Sequence, residues 1–301
     1  MDVLRKTSTA PPACDVEFAS ADGLRLSGTL LAGGGPGVLL AHGFGQTRHS
    51  WAGSQQGLAR AGYGSLAWDA RGHGRSGRNA PDVLYKAEQF VADQLAAAAE
   101  LGALPVLVGA SMGGLTGLWA QAQAAVYSAL VLVDVTPRWE QAGMERIQTF
   151  TRAFPQGFDS FEQAAEQIAA FLPHRRQRKS QEQLELLLRR DDAGRLRWHW
   201  DPRLLEEFVE VSHHWQEALA EAARAVRVPV LLVSGGRSDL VSDRTIAHFL
   251  ELVPQASHVQ LPQATHMLAG DDNDAFTNSV LAFLRAQFPP PIQRSFSGVS
   301  P

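Results

Sequence analysis

Short apolar runs, each closed by a turn and followed by a helix-length segment, set most of what this chain can fold into. Gly37-Val38-Leu39-Leu40-Ala41-His42 is one of them. Gly64 to Asp69, Leu104 to Ala110, Ala129 to Val135, Val228 to Gly235 and His258 to Leu261 are comparable. A strand covered on one face alternates apolar and polar residues, whereas a strand covered on both faces is apolar throughout. Continuous runs therefore predict a parallel sheet buried on both sides. The segments between them predict crossover helices over residues 51–61, 86–101, 112–123, 242–253 and 272–287. Leu24 to Leu31 alternates, as an edge strand should. The implied class is α/β with an open sheet.

The rhythm stops between Pro137 and Arg227, where helical patterns follow one another with no strand pattern. Phe161, Ala164, Ala165, Ile168, Phe171 and Leu172 fall on one helical face. Leu184 to Leu188 and Leu204 to Val211 read as more helix. So long a helical stretch is too much for a connection and reads as an inserted lid. The expected organisation is a core of residues 15–136 and 226–288, a helical cap of residues 137–225, and terminal arms at 1–14 and 289–301.

Charge and cysteine usage narrow the partners. A net charge of −4 and a pI near 6.2 give no attraction to nucleic acid or to anionic membranes. Cys14 is the single cysteine, so no intramolecular disulfide forms, which fits a reducing cytoplasm. No apolar run has the length of a signal peptide or a membrane span. The expectation is a cytoplasmic protein, monomer or homodimer, acting on a small molecule. No His, Cys and carboxylate cluster has metal-ligand spacing, so neither metal nor cofactor is expected.

Four segments carry chemistry. In Gly109-Ala110-Ser111-Met112-Gly113, glycines flank a serine between an apolar run and a helical one. A nucleophile on a sharp strand-to-helix turn needs such small neighbours, and the helix N-terminus favours developing negative charge. His42-Gly43-Phe44-Gly45 ends an earlier strand. A tetrahedral oxyanion takes two backbone N–H donors, and Phe44 and Met112 are the candidates. His42 itself reads as a loop-holding residue. His266, after the last strand, is the candidate general base, because it follows the acid in chain order. Asp239, in Gly235-Gly236-Arg237-Ser238-Asp239, is the candidate acid, and Asp134, at the end of Val131-Leu132-Val133, is its rival. Asp69-Ala70-Arg71-Gly72-His73-Gly74 lacks phosphate-loop spacing and reads as a loop fixed by Asp69 and Arg71.

The order Ser111, Asp239, His266, with His42-Gly43-Phe44-Gly45 upstream, resembles the α/β-hydrolase superfamily over residues 15–288. The resemblance implies a mostly parallel eight-stranded sheet, helices on both faces, and a helical cap between strands six and seven. It implies that Ser111 attacks, His266 is acid and base, Asp239 orients it, and Phe44 and Met112 form the oxyanion hole. Asp69 to Ser76 and the cap's position resemble the branch that holds epoxide hydrolases, dehalogenases, haloperoxidases, lactonases and carboxylesterases. Displacement at a saturated carbon needs a carboxylate nucleophile, and this chain has Ser111, which suits acyl transfer. Cap-bearing ester or lactone hydrolysis is the expectation. Perhydrolysis, C–C bond hydrolysis and a non-catalytic ligand receptor are the alternatives. Trp139, Trp200 and Trp51 are candidates to line the substrate pocket, with Phe150, Phe158, Trp198 and Trp215 in reserve.

Overall fold

The computed structural model describes residues 12–171, 178–205, 212–265 and 274–288. The strands are β1 (Ala13–Ala19), β2 (Arg25–Leu31), β3 (Gly34–Ala41), β4 (Tyr63–Asp69), β5 (Val106–Ala110) and β6 (Ala129–Val133). They continue with β7 (Leu188–Arg190), β8 (Leu196–Trp198), β9 (Val230–Gly235) and β10 (Ala256–Leu261). Eight of them form one sheet in the order β1-β2-β4-β3-β5-β6-β9-β10. β1 pairs antiparallel with β2, and β2 with β4; every later pairing is parallel.

The central strands are buried on both faces, as their continuous apolar runs require. Along β5 and β6, Leu107, Leu130 and Leu132 enter one core, while Val106, Val108, Val131 and Val133 enter the other. That is the two-residue period of a pleated strand. Helices α1 (Ala52–Arg60) and α9 (Asp274–Gln287) cover the second face through Leu58, Phe276, Val280 and Leu284. Helices α2 (Ala87–Ala99), α3 (Met112–Ala124), α7 (Ser212–Ala225) and α8 (Asp243–Leu252) cover the first through Phe90, Leu118, Leu219 and Phe249. No helix among the described residues is long and apolar enough to cross a membrane.

The insertion falls between the sixth and seventh strands of the main sheet. It contains α4 (Gln141–Arg152), α5 (Phe161–Phe171), α6 (Gln181–Glu185) and α7. Its small core, Phe158, Ala164, Ile168, Leu184, Leu188 and Leu196, is separate from the two cores of the sheet. The insertion is not wholly helical: β7 and β8 form an antiparallel hairpin, Leu188 opposite Trp198. Leu188, expected to extend a helix, turns into a strand because Gly194, at φ +79°, lets the chain reverse.

The arm reading of residues 1–14 also needs correction at its end. Ala13 and Cys14 are already in β1, opposite Leu31 and Leu30. That strand buries Phe18 but exposes most of its other residues, so no apolar run announces it. Residues 1–11 and 289–301, and the expected helical stretch at 206–211, lie outside the described residues.

Candidate active site

The chain leaves β5 at Ala110 and enters α3 at Met112, so one residue, Ser111, makes the turn. It does so at φ 44° and ψ −117°, a strained backbone for any side chain and a common mark of functional turns. The flanking glycines are steric necessities. A Cβ on Gly113 would sit 2.4 Å from the Ala41 carbonyl, and one on Gly109 would sit 2.7 Å from the Gly113 carbonyl. The Ser111 N–H donates to Val133 O (3.2 Å), and its carbonyl accepts from Gly114 and Leu115. The half-buried side chain therefore stands at the start of α3, at the positive end of the helix dipole.

The loop after β3 lies directly against this turn: a Cβ on Gly43 would come 3.2 Å from the Ser111 Cβ. Phe44 and Met112, the expected oxyanion donors, thus flank Ser111 from the ends of adjacent strands, since β3 pairs with β5. The loop is held by buried imidazoles. Ala70 N–H donates to His42 Nε2 (3.0 Å), which leaves Nδ1–H to donate to Gly43 O (2.8 Å). His42 is therefore a neutral, loop-holding residue, the role its sequence position suggested. Gly45 N–H donates to His73 Nε2 (3.3 Å), and His73 Nδ1–H donates to Arg71 O (3.0 Å). His199, from the insertion, accepts Gly74 N–H at Nδ1 (2.9 Å) and faces Gly45 O through Nε2 (3.4 Å).

Each ring accepts one backbone N–H, so a second proton on it has no acceptor. Burial accordingly lowers the pKa of all three, helped at His73 by His42 and His199, and takes His199 down to about 4. The unfolded chain binds these protons near 6.5 and the folded chain does not, so stability falls as pH drops. For His199 that stabilisation is complete above pH 6.5 and is lost progressively towards pH 4, a change of about 3 kcal/mol. Urea midpoints measured at about pH 7 and about pH 4.5 should show it. The pH slope should shrink in His199→Phe, and an equal slope in both proteins would contradict the assignment.

Asp69 and Arg71 do fix the neighbouring loop. Asp69 accepts the Arg48 and Arg75 amides (2.8 and 3.0 Å), and Arg71 forms two 2.6 Å bonds to buried Asp93.

The two acid candidates sit in unlike surroundings. Asp239 is partly exposed, and its carboxylate takes the Arg146 guanidinium of α4 at 2.9 Å. Asp134 is 1% exposed and adopts φ 47° just after β6. Its carboxylate accepts Gly235 N–H (2.7 Å) and Ser238 Oγ–H (2.6 Å). Ser238 Oγ in turn accepts from Leu240 and Val241, so the exit from β9 wraps around Asp134. Ala110 and Val133 are register partners, which puts Ser111 and Asp134 side by side at the carboxyl edge of the sheet. Thr265 O would be 2.9 Å from a Cβ on Gly235, so the chain reaches this spot one residue before His266. His266 itself lies outside the described residues.

Of the expected aromatic pocket residues, Trp200 (3% exposed) packs 5.1 Å from the Phe44 ring, next to the oxyanion loop. Trp139 is buried in the sheet's first core near the β9 exit, where Glu140 N–H meets Leu240 O. Trp51 is misplaced by the sequence reading. A short 3₁₀ turn at Arg48–Trp51 carries it under the sheet, where it is fully buried 6.0 Å from Phe276 and has no surface for a substrate. Phe150, Phe158 and Trp198 pack on one another inside the insertion, and Trp215 packs on Trp119. Among the described residues, no group of three His, Cys, Asp or Glu is placed to hold a metal ion.

No local sequence pattern ties His199 to the loop after β3. It stands 154 residues from Gly45, and only the fold brings the two together.

The alpha/beta hydrolase family model matches residues 38–278. The chain is 33% identical over 241 residues to esterase Rv0045c of Mycobacterium tuberculosis, covering 75% of this chain and 74% of that one. It is 31% identical over 267 residues to N-formylmaleamate deformylase of Pseudomonas putida, covering 85% and 91% respectively. The structure of E-2-(acetamidomethylene)succinate hydrolase superposes with a TM-score of 0.78 at 22% identity, over 91% of this chain and 99% of that one.

Proposed function

Because the chain belongs to the alpha/beta hydrolase family, we propose that it is a serine hydrolase cleaving carboxylic esters or lactones through an acyl-enzyme. One observation carries this reading: Ser111 stands on a strained strand-to-helix turn with the Gly43-Phe44 loop packed against it. In the proposed reaction Ser111 Oγ attacks the acyl carbon while His266 takes its proton. The oxyanion accepts the Phe44 and Met112 N–H groups. Collapse breaks the C–O bond, and His266 returns the proton to the leaving alcohol. Water, activated by the same histidine, then releases the acid and restores Ser111.

For the group that orients His266, burial and its two donors support Asp134 over Asp239, whose carboxylate is occupied by Arg146. The insertion serves as a cap over the carboxyl edge of the sheet. Trp200 and Trp139 would contribute apolar walls, which suits a hydrophobic acyl or alcohol part. A relative named as a deformylase, N-formylmaleamate deformylase, makes cleavage of a C–N bond by the same steps the second reading.

Fluorophosphonate labelling and a panel of para-nitrophenyl esters, lactones and N-formyl amides test the proposal together. The expected result is label on Ser111 and turnover of esters or lactones of graded chain length. Turnover of formyl amides alone selects the second reading. Neither label nor turnover would leave a ligand receptor of the same fold.

A further inference from the structure

Three successive peptide units of the loop that carries Phe44 are each held by a different imidazole. A peptide unit is planar and trans, so its C=O and N–H point in opposite directions. Gly43 O and Phe44 N–H share one plane, and His42 Nδ1–H grips that carbonyl (2.8 Å). The next plane ends in Gly45 N–H, which donates to His73 Nε2 (3.3 Å). The plane after that begins with Gly45 O, which faces His199 Nε2 (3.4 Å). The rings follow one another in a row, each tilted against the next, His42 to His73 at 5.1 Å and His73 to His199 at 6.0 Å.

His42 and His73 come from the sheet's own loops, but His199 follows β8 of the insertion. Its place there is fixed at several points. Arg78 Nη2 donates to its carbonyl (2.9 Å), and Asp201 N–H donates to Gly72 O (2.8 Å). Gly74 N–H occupies Nδ1, so the proton of the neutral ring must be on Nε2, facing Gly45. The adjoining Trp200 packs on the Phe44 ring from the same side.

We propose that His199 is a positioning residue of the oxyanion hole: the insertion, through this one imidazole, holds Gly45 and so helps aim Phe44 N–H at the acyl oxygen. The inference rests on the reading of Phe44 as an oxyanion donor. It gives the insertion a part in building the catalytic loop, beyond covering it. Hydrolysis would then require the insertion to be seated.

Conservative replacements separate the two bonds of the ring. His199→Gln can place an N–H near the Nε2 position and lose the Gly74 acceptor. His199→Asn can keep that acceptor and lose the donor to Gly45. His199→Phe keeps the bulk and loses both. With a para-nitrophenyl ester, kcat should fall about 10- to 100-fold in the Phe and Asn variants, and KM by less than about threefold either way, because an oxyanion contact acts in the transition state. The Gln variant should recover most of that loss.

Amide hydrogen exchange over residues 43–46 should quicken in the Phe and Asn variants while exchange in β5 and β6 stays as in wild type. Equal kcat in the Gln and Asn variants, with unchanged exchange over 43–46, overturns the proposal. If the Phe variant does not fold, the Gln and Asn pair still decides. Should wild type hydrolyse nothing, the hydrolase reading fails separately, and the exchange comparison still tests whether His199 holds the loop.

Discussion

Ser111→Ala should lower kcat for a para-nitrophenyl ester by about 10⁴- to 10⁶-fold while leaving the protein folded. The loss is large because the remaining parts cannot replace a nucleophile. Phe44 and Met112 N–H would still polarise the carbonyl, and His266 would still hold a water, but no acyl-enzyme could form. The fold should tolerate the change for reasons visible at the turn. The Ser111 hydroxyl caps no amide of α3, and the turn is secured through its backbone, by Val133 O and by the Gly114 and Leu115 amides. Alanine has the same Cβ and meets the same neighbours. KM should therefore change little, and thermal unfolding should stay within a few degrees of wild type. Near-full ester hydrolysis by purified Ser111→Ala would remove Ser111 from the mechanism altogether.

The parts of this molecule that were legible in the chain are those whose signal is local. β3, β5, β6 and β9 are continuous apolar runs because each is buried on both faces, and that condition writes itself into four or five consecutive residues. The turn at Ser111 is local for the same reason: Gly109 and Gly113 are needed by atoms within a few ångströms of the serine. β1 gave no such signal, since one buried Phe18 on an exposed edge strand is not a pattern. The β7–β8 hairpin is three residues a side and rich in arginine, which reads equally well as a helix surface.

Nearness in sequence misled at Trp51. It lies only a few residues past Gly45, yet the 3₁₀ turn between them moves it to the opposite core. His199 shows the converse. Its role depends on Gly45 and Gly74 converging from distant segments, and no pattern of spacing encodes that meeting.

The acid is where the two kinds of information diverge, and a pair of substitutions separates them. Asp134→Asn should lower kcat by about 10³- to 10⁴-fold, the scale seen when a triad carboxylate becomes an amide and the imidazole takes the wrong tautomer. Asp239→Asn should cost less than about tenfold, because it removes an ion pair with Arg146 that is open to solvent and worth about 1 kcal/mol or less. Both substitutions keep the side-chain shape. At Asp134 the amide oxygen can still accept Gly235 N–H, but the new NH₂ faces Ser238 Oγ, which already accepts from Leu240 and Val241, so the exit from β9 gives up one hydrogen bond and should otherwise stay ordered. Thermal unfolding of both variants checks that condition before the rates are compared. A large loss at Asp239 with near-normal turnover at Asp134 would return the role to Asp239. Asp134 would then be a buried clamp that shapes the turn from Gly235 to Val241, and its two short hydrogen bonds would be structural rather than catalytic.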